Sequence, residues 1–140
     1  MLKTVEFVPL KSPERARVLC ALAEEFFLKG ERVVIVIQDD NQGVSLDQYM
    51  WVWKKGSFLP HVYDNGSVES FDEPVVILAH EDNPNGARVL IQGRICTMEF
   101  VSQFRHVIDF AELYDDALRQ NARERFRLFR EMGLEPRMRE

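Results

Sequence analysis

TVEFVPLKSPERARVLCALAEEFFLKGERVVIVIQ, residues Thr4 to Gln38, decides the fold class. Thr4 to Leu10 reads as a strand, and Pro9, lacking an N–H, limits how far it can pair. Ser12 is a suitable helix N-cap, Pro13 suits the first helical position, and Glu14 lies near the positive helix end. The predicted helix runs to Lys29. Val18, Leu22 and Phe26, with Leu19 and Ala23 beside them, form its buried face, and Gly30 is placed to close it in a left-handed conformation. Arg32 to Gln38 is a nearly continuous apolar run rich in β-branched residues, as in a strand covered on both faces. Strand, helix and strand joined by short links make a right-handed βαβ unit, hence a parallel sheet.

Outward from that unit the alternation continues. Asp39-Asp40-Asn41 leads into a helix over Gln42 to Trp53, with Asn41 or Ser45 as caps, and Lys54-Lys55-Gly56 breaks it. Phe58 to Tyr63 is extended, Leu59 being pushed to β geometry by Pro60. Asp64 to Glu73 is a turn-rich surface segment. Val75 to Ala79 is a buried strand. Asp82 to Gly86, DNPNG, is a turn signal that makes Arg88 to Gln92 an antiparallel edge of a hairpin. Met98 to Phe104 is a short helix and His106 to Phe110 the last strand. A long helix from Asp116 ends at Gly133 ahead of Pro136. Residues 1–136 form one α/β domain, and 137–140 are expected to fray.

At 140 residues the chain has the length of a single domain. Hydrophobic content of 46% and aromatic content of 11% exclude a disordered polymer. A net charge of −5 argues against a broad duplex-DNA surface. No run approaches the ~18 apolar residues that span a bilayer. The first residues lack the apolar core and cleavage site of a signal peptide, so the expected compartment is the cytoplasm. There Cys20 and Cys96 stay free thiols, inert in apolar settings.

The alternating pattern invites a nucleotide-binding reading, which the first strand–helix turn contradicts. Leu10-Lys11-Ser12-Pro13 contains no glycine, so neither GxGxxG nor a P-loop nest can form. Asp39, placed like a ribose-binding acid, is then a cap or turn residue. His61, His80 and His106 form no i,i+4 pair and no metal-type spacing. Adjacent carboxylates such as Asp39-Asp40, Glu24-Glu25 and Asp115-Asp116 diverge on a helix and read as caps and solvated faces. No catalytic residues, metal or cofactor are expected.

Two stretches remain. In DALRQNARERFRLFREMGL, Asp116 to Leu134, an apolar stripe of Leu118, Ala122, Phe126 and Phe129 runs beside Arg119, Arg123, Arg127 and Arg130. Such a charged row is as a rule a solvated face. Here five arginines fall within one helix of an acidic chain, with only Glu124 and Glu131 placed to relieve them, so an acidic partner is the natural complement. Around Tyr49, Met50, Trp51, Trp53, Phe58 and Pro60, large apolar groups are denser than one helix face can bury. They are either core or partner anchors.

LDQYMWVWKKGSFLPH, Leu46 to His61, and VIDFAELYDDALRQNARERFRLFREMG, Val107 to Gly133, resemble the chi subunit of bacterial DNA polymerase III, and the element order agrees along nearly the whole chain. The resemblance implies a single three-layer α/β/α domain with a mostly parallel central sheet, Rossmann-like but without the glycine loop. It implies a non-catalytic clamp-loader adaptor. One surface would join the psi subunit, with Trp51 and Phe58 facing it and Pro60 and His61 shaping the turn. Another would hold the acidic C-terminal tail of single-stranded DNA-binding protein, which ends in proline-phenylalanine with a free carboxylate. The residues so implied are Arg119, Arg123, Phe126 and Arg127, with Arg123 taking the terminal carboxylate. DNA would be met only indirectly and no membrane is involved. Arg119 and Arg127 stand where the family often has lysine, Phe126 replaces a tyrosine, and a residue is inserted around Ala111 to Leu113. The alternatives are a direct single-strand binder, which lacks interleaved aromatics, and a small nucleotide-dependent enzyme.

Overall fold

The computed structural model describes residues 1–139. In chain order the elements are β1 (Thr4–Leu10), α1 (Ala16–Leu28), β2 (Val33–Val36), α2 (Asp40–Met50), β3 (Val62–Tyr63), β4 (Val75–Leu78), β5 (Val89–Gln92), α3 (Met98–Val101), β6 (His106–Glu112), α4 (Asp116–Glu131) and β7 (Arg137–Met138). The seven strands form one sheet in the order β3-β4-β2-β5-β6-β1-β7. Every pairing is parallel. Strand alternation splits the core in two: Val33, Ile35 and Ile37 face α1 and α2, while Val34 and Val36 belong with α3 and α4 on the other side. This is the three-layer α/β/α arrangement.

Four local expectations are corrected. The first helix begins at Ala16 rather than beside Ser12, and Arg15 at its N-cap makes no side-chain capping bond. The Arg15 guanidinium turns inward instead, donating to the Gly93 carbonyl at 3.4 Å and to Glu112 at 3.4 Å. A tertiary contact therefore replaces the local cap. The second helix is capped by Asp39, which accepts from the Gln42 N–H at 2.9 Å, so Asn41 and Ser45 lie inside it.

The strand Val89–Gln92 is not a hairpin edge. It lies in the interior of the sheet between β2 and β6, parallel to both. DNPNG does turn, with Gly86 at φ +63° and the Asn83 side chain bracketing Ala87. The chain then passes beneath β2 and rises on its other side. The VLIQ run, buried on both faces, suits an interior strand better than a half-solvated edge.

The fourth correction concerns the end of the chain. Residues 137 and 138, expected to fray, pair with Glu6 and Phe7 as a seventh strand, so β6 is not the last. The Arg139 N–H donates to the Phe7 carbonyl at 2.8 Å. Its guanidinium bonds Glu6 at 3.0 and 3.2 Å and Glu25 at 2.6 and 2.9 Å. Residue 140 lies outside the described residues.

Candidate functional site

The helix α4 starts where Asp115 accepts from the Leu118 N–H at 2.9 Å, and Gly133, at φ +86°, ends it. Ala122 and Phe129 are buried against the sheet, while Leu118 and Phe126 are half-buried at the margin of the stripe. That margin opens into a groove of about 500 Å³. Its floor is Phe7, Ala111, Ala122 and Phe126, the Phe7 and Phe126 ring centroids lying 5.2 Å apart. Leu113 and Met138 wall it, and Arg119 and Arg123 stand at its rim.

The arginines of α4 differ sharply in their engagements. Arg119 donates to the Leu113 carbonyl, and among the described residues its buried Nε has no partner. Arg123 is exposed, and among the described residues it makes no ion pair. Arg127 does not line the groove. It points to the solvated side and bonds Glu124 at 2.7 Å and Glu131 at 3.1 Å; the Arg127 guanidinium holds the Glu124 carboxyl below its usual range. Arg130 stacks over the Phe126 ring at 5.1 Å. Of the tail residues expected from the resemblance, Arg119, Arg123 and Phe126 meet at one groove, and Arg127 stands apart from it.

Arg125 was missed. It lies three residues after Ala122 and four before Phe129, which places it on the buried face rather than in the arginine row. There it grips Asp109 with bonds of 2.8 and 3.2 Å and donates to the Phe110 carbonyl at 3.0 Å. Burial pushes the Asp109 carboxyl up, and Arg125 pulls the other way. Asp109, an acid set inside the apolar run VIDFA, was the available signal, since a buried charge needs a partner.

The aromatic cluster divides. Met50 and Trp53 enter the core, Trp53 lying between Arg17 and Lys54. Trp51 and Phe58 stay outside at 48% and 74% exposure, with Val52 beside them at 76%. Trp51 rests on His61, ring centroids 4.2 Å apart, and lies 6.0 Å from Phe58. His61 itself is buried, with Nδ1 2.7 Å from the Leu59 carbonyl and Nε2 2.9 Å from the Asp47 carbonyl. It supports the turn rather than the surface. Pro60 is half-buried within that turn.

A larger cavity, about 690 Å³, opens at the carboxyl ends of the strands, where α/β sheets commonly bind ligands. Four of its five charged side chains are matched with one another, and the fifth, Arg94, donates to the Ile37 and Ile95 carbonyls at 3.2 Å. Arg15 lies 3.4 Å from Glu112, and Arg125 joins Asp109 and, at 3.8 Å, Glu112. The two cysteines are free and buried, and burial pushes both thiols up to about 12, far from a reactive thiolate. Among the described residues no three metal-ligating side chains converge, and no helix is long and apolar enough to cross a membrane.

The family model for the DNA polymerase III chi subunit, HolC, matches residues 2–137. The chain is 33% identical over 118 residues to DNA polymerase III subunit chi of Escherichia coli K12, covering 84% of this chain and 79% of that one. It is 31% identical over 127 residues to the subunit of the same name from Pseudomonas aeruginosa, covering 90% and 87%. The Haemophilus influenzae subunit is 28% identical over 117 residues, covering 83% and 80%. The chain belongs to the chi subunit family of DNA polymerase III, a non-catalytic accessory subunit of that polymerase complex.

Proposed function

We propose that this chi-family subunit is the adaptor that joins the replicase to coated single-stranded DNA. Its α4 groove takes the acidic tail of single-stranded DNA-binding protein, and its Trp51–Phe58 patch takes the psi subunit of the clamp loader. The observation that carries the tail reading is the pairing of an oily floor with guanidinium groups that lack carboxylate partners among the described residues: Arg123 open to solvent and Arg119 with an unpartnered Nε. An acidic tail ending in an aromatic residue supplies what each lacks, carboxylates for the rim and a ring for the floor. Trp51, Val52 and Phe58 form a contiguous apolar surface of the kind that anchors a partner chain, and His61 fixes its shape from beneath.

Direct binding of single strands by an arginine row is less well supported. Within the row Arg119 turns back to the Leu113 carbonyl and Arg127 is paired with Glu124 and Glu131, so its charges are not free together for a run of phosphates.

Titration with the acidic tail peptide, its terminal carboxylate free or amidated, tests the reading. Binding of the free form near micromolar, about −8 kcal/mol, is expected, weakening with salt because exposed charges are screened over ~10 Å at 0.1 M. Amidation and Arg123→Glu should each cut affinity at least tenfold at an unchanged melting temperature. Equal binding of the free and amidated peptides removes Arg123 from its role. Tight binding of bare single-stranded DNA would favour the other reading.

A further inference from the structure

The groove's outer wall comes from a segment that has little reason to be ordered. The strand β7 is two residues long, lies at the sheet edge and pairs only with β1. Short edge strands are marginal and closing segments commonly fray. Successive residues of an extended chain point to opposite faces. Met138 therefore turns into the groove beside its register partner Phe7, and Arg139 turns to the far face, where α1 lies. There its guanidinium makes four hydrogen bonds of 3.2 Å or less, two to Glu6 of β1 and two to Glu25 of α1. The side chains are partly sheltered, 26% exposed for Arg139 and 34% for each glutamate. A double two-point clamp of this kind is much firmer than a lone surface pair.

We infer that Met138 is a wall of the peptide groove and that Arg139 is the positioning residue that keeps it there, clasping the closing strand to β1 and α1. The inference rests on the tail-binding reading above and adds two residues on a different element. Arg139 touches no part of the groove, so its effect on a bound peptide must pass through Met138. That makes the two substitutions non-additive, which a purely structural role elsewhere would not produce.

Calorimetric titration of the full chain with an acidic peptide ending in proline-phenylalanine, carboxylate free, is the test. Met138→Ala is expected to weaken binding roughly five- to tenfold, the scale of one lost apolar contact. Arg139→Ala should weaken it by a similar factor and speed hydrogen exchange of its own amide, which now donates to Phe7. The double variant should bind no worse than the weaker single one. Arg139→Ala binding within twofold of the parent chain, or two effects that multiply, overturns the inference. So does full affinity in Met138→Ala, which disturbs no ion pair and reports even if Arg139→Ala unfolds. A parent chain that ignores the peptide overturns the tail reading and this inference together, whereas a parent that binds with Arg139→Ala unaffected overturns this inference alone.

Discussion

Asp109 sits within β6 with its carboxylate almost wholly buried, and Arg125 reaches from α4 to meet it with nitrogens at 2.8 and 3.2 Å. Removing one partner of a buried pair strands a charge without solvent, at a cost of about 3–5 kcal/mol, whereas replacing both by apolar groups can be neutral. Arg125→Met should therefore lower the unfolding free energy by about that much in urea titrations, and Asp109→Leu in the same chain should restore most of it. A loss under about 1 kcal/mol in Arg125→Met would mean water reaches the pair. Arg127 offers the opposite case. Its guanidinium is exposed and already bonded to Glu124 and Glu131, so Arg127→Ala should change tail-peptide affinity by less than threefold while Arg123→Ala costs tenfold or more. Comparable losses would place Arg127 within the binding surface. Sequence periodicity could put arginines in a row, but it carried no information on which were engaged.

At the scale of elements, the runs that bury two faces were legible. VVIV and VVIL have no polar side to present, so each reads as a strand in a covered sheet, whereas VLIQ reads as a strand but not as an interior one. What escaped were features decided by contacts distant in sequence. The start of α1 moved because Arg15 found Glu112 and Gly93. The place of β5 was fixed by its neighbours rather than by its turn, and β7 exists because Arg139 finds two glutamates far back in the chain. This last link gives α1 a pH signature. Hydrogen bonds from Arg139 hold the Glu25 carboxyl below its ordinary value near 4.5. Those from Lys54, then Ser57, do the same for Glu24. A carboxyl depressed in the folded state contributes stability that is present above its unfolded value and lost as pH falls through its folded one. Asp109, raised by burial, runs the other way but is a single group. Urea midpoints should therefore fall below about pH 4.5 and fall less steeply in Glu25→Gln. An acid limb of unchanged slope in that variant would mean the clasp contributes nothing to folding.

Across the whole molecule the two candidate surfaces are separated by the sheet itself. The Trp51–Phe58 patch follows α2 beside β3 at one edge, and the groove lies under α4 between β6 and β7 at the other, on the opposite face. With strands about 4.8 Å apart, the five steps from β3 to β1 separate them by about 25 Å. No single helix or loop belongs to both, so neither ligand competes sterically with the other, and a rigid, close-packed parallel sheet offers no second arrangement through which they could be coupled. The proposed adaptor role needs this independence, since it requires both partners to be held at the same time. Trp51→Ala with Phe58→Ala should abolish the complex with a psi subunit in size-exclusion chromatography, because exposed aromatic anchors carry most of such an interface. The same double variant should bind the acidic tail peptide within twofold of the parent chain, and saturating psi should leave that affinity equally unmoved. A tail affinity that shifts several-fold on occupying or destroying the patch would show the two surfaces to be linked, and the picture of one rigid sheet with a socket at each edge would give way to an allosteric one.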